Sequence, residues 1–247
     1  MGERKIIVLE RPDLLYVRAA EEIAHLAGEA ICTHGEFCIA LSGGSTPASV
    51  YELLATRFHF SVSWKDVQFF WGDERCVGPD DALSNFAMAN RTMLSKLNLK
   101  PEQVHRMRGE LEPEAGARAY EEELRRAFAL KPGELPRFDL VLLGLGDNRH
   151  TLSLFPGDPA IHETRKMVAA VDVDAEPRRR LTLTAAVVNN AQRVMFLAAG
   201  ESKACAVKDV IEGPRDPDKY PAQAIDPEDG ELIWVLDRAA ASLLEGR

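Results

Sequence analysis

The stretch FDLVLLGLGDNRHTLSLFPG, residues 138–157, decides how the rest of the chain is read. It opens on a short apolar run, Leu140-Val141-Leu142-Leu143, closed by Gly144 and Gly146. That is the pattern of a strand buried on both faces, followed by a turn that needs backbone freedom. Polar groups then crowd together: Asp147, Asn148, Arg149, His150, Thr151 and Ser153. In open α/β sheets ligands bind beyond the carboxyl ends of strands, so chemistry is expected here. His150 is the side chain in this stretch whose unperturbed pKa lies near neutrality, which makes it the candidate general base. A loop histidine that merely follows a strand is the competing reading, and other segments must decide between the two.

Three further strands are each followed by a polar loop. The apolar segment 37–41 runs into Ser42-Gly43-Gly44-Ser45-Thr46-Pro47 and then a helix with Val50, Leu53 and Leu54 on one face. Gly43 and Gly44 let backbone approach a ligand, Ser45 and Thr46 supply hydroxyls, and a helix start offers free N–H groups, a combination suited to phosphate. The same residues also make an ordinary tight turn with a helix cap, and the loop lacks the GK[ST] ending of a Walker A motif. The segment 67–71 ends at Gly72-Asp73-Glu74-Arg75. Arg75 suits a phosphate or an oxyanion, and Asp73 or Glu74 could orient a neighbouring base, although a solvated charge cluster would read the same way. The segment 194–199 leads to Gly200-Glu201-Ser202-Lys203 and a helix. A lysine works against the positive end of a helix dipole unless an anion lies between them.

Further strands are expected at 5–9, 167–173, 181–184 and 234–236, and a short edge strand at 104–107. Asp13 is placed to cap the first helix and Asp237 to cap a C-terminal alanine-rich one. The basic residues 178–180 read as a solvated turn that adds positive potential. Strands alternating with helices imply a mostly parallel sheet covered on both faces, in an α/β fold. The chain reads as one domain, 1–247, with the helical 85–130 region as a small lobe over the sheet.

The composition fits a globular chain, with 247 residues, 46% hydrophobic and 28% charged. A net charge of -9 argues against non-specific nucleic-acid binding, yet leaves room for an anionic small molecule held by a few placed cations. No apolar run approaches a membrane span, and residues 1–5 carry no leader-like apolar core. Cys32, Cys38, Cys76 and Cys205 show no zinc-ligand spacing. Cys32 and Cys205 are expected as small core residues, and Cys76, among charges, as the alternative of a reactive thiol. The expected setting is a reducing cytoplasm, and the expected state a monomer, with a dimer the alternative. The sequence has no metal-ligand cluster, and GLGDNR at 144–149 lacks the third glycine of a dinucleotide fingerprint.

The motifs SGGSTP at 42–47, FFWGDERCVGPDDALSNFAMA at 69–89, LGLGDNRHTLSLFPG at 143–157 and GESKA at 200–204 closely resemble the glucosamine-6-phosphate isomerase/6-phosphogluconolactonase family. The similarity continues through LTLT at 181–184, YPAQAI at 220–225 and WVLDRAAA at 234–241. The SLFP that follows His150 resembles the lactonase branch, where the isomerase branch more typically continues with AFNEP-like residues. The resemblance implies a three-layer α/β/α Rossmann-like fold and hydrolysis of 6-phospho-D-glucono-1,5-lactone without metal or organic cofactor. It puts the general base on His150, an electrostatic role on Arg75 and phosphate contacts on residues 43–46 and Lys203, with Arg180 a further candidate. One departure stands out. The family usually has Asp-Gly before the histidine, where this chain has Asn148-Arg149. Asn148 keeps a hydrogen-bonding group without the charge, Asp147 could compensate from one place earlier, and Arg149 replaces a residue that tolerates positive φ. Two alternatives follow: an amino-sugar-phosphate deaminase or isomerase on the same scaffold, and a sugar-phosphate binding protein with weak activity or none.

Overall fold

A computed structural model describes residues 3–245. Its centre is a six-stranded sheet in the order β1-β9-β8-β5-β2-β3, with every pairing parallel. The strands are β1 (Glu3–Leu9), β2 (Phe37–Leu41), β3 (Val67–Trp71), β5 (Leu140–Gly144), β8 (Arg193–Ala198) and β9 (Glu231–Asp237). Every position of β2 is buried, and β5 is buried from Leu140 to Leu143. Alternate side chains point to opposite faces, so a strand buried at every position is covered on both. This is the three-layer α/β/α architecture that the resemblance implies, built on the doubly covered parallel sheet expected from the alternating strands and helices.

Helix α1 (Pro12–His34) packs on α2 (Ser45–Ala55) and against β1, β2 and β9. Its cap differs from expectation: Asp13 lies inside the first turn, where Arg11 holds its carboxylate, and Arg11 occupies the cap position. The C-terminal expectation fails too, because residues 238–245 form successive turns and no helix. The Asp237 carboxylate accepts from the N–H of Ala240 at 2.8 Å and from that of Gly200 at 3.0 Å. It therefore ties the chain's end to the turn ahead of Lys203. Fully buried aromatics fill the interior, with Phe196 and Trp234 stacked at 4.1 Å between centroids. Burial of each such ring stabilises the fold by about 1.5–3 kcal/mol.

A second, antiparallel sheet of order β4-β7-β6 stands beside the first. It comprises β4 (Asp73–Arg75), β6 (Val168–Asp172) and β7 (Arg179–Leu183). The short link between β6 and β7 permits an antiparallel pair and not a parallel crossover, which is why this pair leaves the main sheet. Gly72 joins the two layers, its N–H bonded to the Leu41 carbonyl and its carbonyl to the Leu183 N–H. Arg179 and Arg180 are strand residues, not part of a solvated turn, because the register sets them against Asp172 and Val171. Helix α4 (Pro113–Ala127) covers β6 and β7, α3 (Asn85–Thr92) packs on α2, and the short α5 (Ala185–Asn189) follows β7. The Tyr120 hydroxyl of α4 reaches into the main sheet, accepting from the Trp71 N–H and donating to its carbonyl. The expected edge strand at 104–107 reduces to one bridge, Phe69 to Val104. Cys32 and Cys205 are exposed, since α1 buries its Ala27 and Ala30 side and α6 (Ala204–Ile211) its Ala206, Val207 and Val210 side.

Candidate active site

The chain leaves β2 outward to β3, but from β5 it runs the other way, to β8 and β9. The crevice between the carboxyl ends of β2 and β5 is thus the topological switch point, where ligands of open α/β sheets bind. A cavity of about 250 Å³ opens there. Gly43, Gly44, Ser45, Thr46, Asp73, Arg75, His150, Arg180 and Lys203 all line it. These residues come from five separate segments of the chain, and β2, β5 and β8, adjacent in the sheet, deliver three of those segments.

Two walls share one backbone device. Gly44, ahead of α2, has φ 106° and ψ 166°, and Gly200, ahead of the 201–203 turn, has φ 96° and ψ 154°. Only glycine visits that region readily. It lets each strand turn sharply into the helical turn that follows, which brings Ser45 and Thr46 on one side and Lys203 on the other to the crevice. The Tyr51 hydroxyl secures the first wall from below, accepting from the Ser42 N–H at 2.9 Å and donating to the Ser42 carbonyl at 2.8 Å.

The third wall is cationic. In the β4–β7 ladder Arg75 lies directly opposite Arg180. Like charges placed opposite each other are destabilising, so an anionic neighbour must stabilise the pair. Burial, and then Arg75, hold the Arg180 guanidinium below its ordinary pKa, while Asp73 and Glu74 oppose that shift. Arg75 donates from Nη1 to the Leu83 carbonyl at 2.6 Å, and its Nε is buried without a partner among the described residues. Asp73 is the one carboxylate lining the cavity among the described residues. It accepts from Ser153 Oγ at 2.7 Å and from Asn85 Nδ2 at 3.2 Å, and burial raises its pKa against the pull of Ser153, Arg75 and Arg180.

His150 completes the ring. Its imidazole stacks on Phe155, with centroids 4.2 Å apart. The Asn148 side-chain oxygen accepts from the His150 backbone N–H at 3.3 Å. A backbone N–H can only donate, so this contact fixes the amide's orientation, and the same oxygen then accepts from His150 Nδ1–H. The lone pair is left on Nε2. Burial, then Lys203 and Arg180, push the His150 pKa down to about 4, with Asp147 opposing, so the ring is neutral at physiological pH.

Three expected residues stand behind the cavity wall. Asn148 is the partner of Nδ1, the place where Asp73 or Glu74 was expected. Asp147 pairs with Lys203 Nζ at 2.7 Å. Glu74 is buried and accepts from the N–H groups of Arg75, Asn85 and Phe86 and from Ser84 Oγ, which ties β4 to the start of α3. Burial holds the Cys76 thiol up at about 11, so it is not a reactive thiolate at neutral pH. Asn85 and residues 197–199 also line the cavity without having been expected as site residues. Residues 197–199 end a strand beside β5, so the strand-end rule alone could have found them.

The comparisons agree with this fold. The family model described as "Glucosamine-6-phosphate isomerases/6-phosphogluconolactonase" matches residues 10–234. A Synechocystis protein named 6-phosphogluconolactonase is 39% identical over 97% of this chain and 98% of its own. One from Nostoc, also named 6-phosphogluconolactonase, is 37% identical over 98% of this chain and 99% of its own. The solved structure titled 6-phosphogluconolactonase from Trypanosoma cruzi superposes with a TM-score of 0.85 at 30% identity, covering 99% of this chain and 98% of that one. A switch-point crevice with two glycine-led helical turns, a paired-arginine wall and a neutral histidine is what this sequence builds along its matched length, and the chain belongs to the glucosamine-6-phosphate isomerase/6-phosphogluconolactonase family.

Proposed function

We propose that the chain, acting as one domain, hydrolyses 6-phospho-D-glucono-1,5-lactone to 6-phospho-D-gluconate. The observation that carries this reading is the meeting, in one cavity, of an anion cradle and a neutral histidine whose Nε2 lone pair is free. The 6-phosphate sits over Gly43 to Thr46 beside Lys203, where backbone N–H groups and an ammonium supply charge-assisted hydrogen bonds. That placement carries the lactone ring across to His150. Nε2 removes a proton from water, and the resulting hydroxide forms a bond to C1. Arg75 and Arg180 face the charge that develops on the C1 oxygen. The C1–ring-oxygen bond then breaks, and the imidazolium returns its proton to the departing oxygen. Asp73 shapes the field of the paired arginines and accepts from a sugar hydroxyl. Asn148 holds the reactive tautomer, and Asp147 holds Lys203 in place.

No helix among the described residues is long and apolar enough to cross a membrane. The four cysteines are free, which suits the reducing cytoplasm we assign as the setting, and we take the working form to be a monomer.

Hydrolysis of freshly prepared 6-phosphogluconolactone, followed against its spontaneous rate, is the direct test. Acceleration there with no ammonia released from glucosamine 6-phosphate is the expected result, and the reverse pattern would place the chain in the isomerase branch. Tight product binding with no acceleration would instead indicate a binding protein. The base carries its own signature: an NMR titration of the His150 ring in the free protein should centre near pH 4. Lys203 disfavours the imidazolium, so Lys203→Met should move that midpoint upward, toward 6.5. An unmoved midpoint would count against the assigned geometry.

A further inference from the structure

We propose that Asp209, on α6, is a positioning residue for His150 and acts through Arg149. The proposal rests on His150 as the base. Arg149 has φ +69°, a left-handed conformation that a side chain with a β-carbon disfavours. Its two neighbours in sequence are Asn148, which fixes the Nδ1–H tautomer, and His150 itself. The direction of the imidazole therefore depends on a residue held in a backbone state that it would leave if released.

The contacts of Arg149 divide into two kinds. Its N–H donates to the Gly146 carbonyl at 2.9 Å and its Nη1 to the Asp147 carbonyl at 2.8 Å, both within the same turn. Those bonds close the turn but cannot anchor it to the rest of the protein. The anchors are outside. Nε and Nη2 both donate to Asp209 Oδ2, at 2.8 and 2.6 Å, and the Arg149 carbonyl accepts from the Ala222 N–H at 3.0 Å. Ala222 is itself fastened to α6 by its neighbour, because Gln223 Nε2 donates to the Asp209 carbonyl at 3.0 Å. Asp209 thus supports the turn through its side chain and, by way of Gln223, through its main chain. The ion pair is no freely solvated surface contact, with side chains only 28% and 32% exposed. A glycine at 149 would need no such clamp, because it holds positive φ without steric cost.

The test is a double-mutant cycle between Asp209→Ala and Arg149→Gly. In the native background Asp209→Ala should lower kcat for the lactone about tenfold, as the left-handed turn loses its clamp. KM should change by less than about twofold, because the 43–46 loop and Lys203 keep their contacts. In the Arg149→Gly background the same Asp209→Ala substitution should cost less than about twofold in kcat. An equal loss in both backgrounds, or none in the native one, overturns the proposal. A second readout needs no substrate. The downfield His150 Nδ1–H resonance should broaden or vanish in Asp209→Ala and return in the double variant, and its persistence in the single variant overturns the proposal as well. A protein with no lactonase activity at all would remove the functional reading and leave the resonance test standing, so the two failures are distinguishable.

Discussion

Replacing His150 by alanine is expected to lower kcat on 6-phosphogluconolactone by about 10²–10⁴-fold, the usual contribution of a placed general base. The ring supplies the free Nε2, and no other neutral base lines the cavity among the described residues. Asp73 is the nearest substitute by chemistry, but it is buried and bonded to Ser153 and Asn85. The fold should survive, because the imidazole packs on Phe155 at the cavity edge and outside the central sheet. KM should move little, since the cradle at 43–46 and Lys203 remain. Initial rates on fresh substrate, corrected for spontaneous opening of the lactone, check this. A variant within threefold of the native rate would mean that the water is activated elsewhere.

Replacing Glu74 by alanine is expected to destabilise the protein by about 3 kcal/mol. The carboxylate accepts four hydrogen bonds in a site that is 2% exposed, three from backbone N–H groups and one from Ser84. Burial raises its pKa, and those four bonds are the forces opposing the shift. Removing the acceptor leaves several donors unmatched at the junction of β4 and α3, each at a cost of about 1–3 kcal/mol where water cannot enter. For a chain of this size the loss corresponds to a melting temperature lower by about 6–12 °C. Activity should fall too, because Arg75 and Asn85 hang from the same junction. Thermal unfolding followed by circular dichroism measures the first effect, and an unchanged melting temperature would show that the carboxylate has no structural role.

The parallel core was legible because its strands are runs such as Leu140-Val141-Leu142-Leu143, whose burial on both faces leaves no other pattern. The turns after those strands were legible for the same reason, and they supplied every predicted cavity-lining residue except Arg180, which lies in β7. The small antiparallel sheet was not, because β4 is three charged residues whose strand character comes from pairing with β7, more than a hundred residues later. Arg179 and Arg180 read as a turn until that register was known. Glu74 looked like a partner for the histidine because residues 73–75 read as a loop; in a strand its side chain points to the face opposite those of Asp73 and Arg75. The clamp between Arg149 and Asp209 spans 60 residues and joins two ordinary surface types, so no local pattern announces it.

In the proposed mechanism Lys203, the foremost of the charges that hold the His150 pKa near 4, also faces the incoming phosphate. An empty pocket therefore carries a feeble proton acceptor, one that water or stray electrophiles would find nearly inert. Arrival of a dianion offsets the field of Lys203 and its neighbours, and the imidazole becomes more basic only then. Occupancy and reactivity are joined in this way without any moving part, and a lactone stripped of its phosphate should lose turnover as well as affinity.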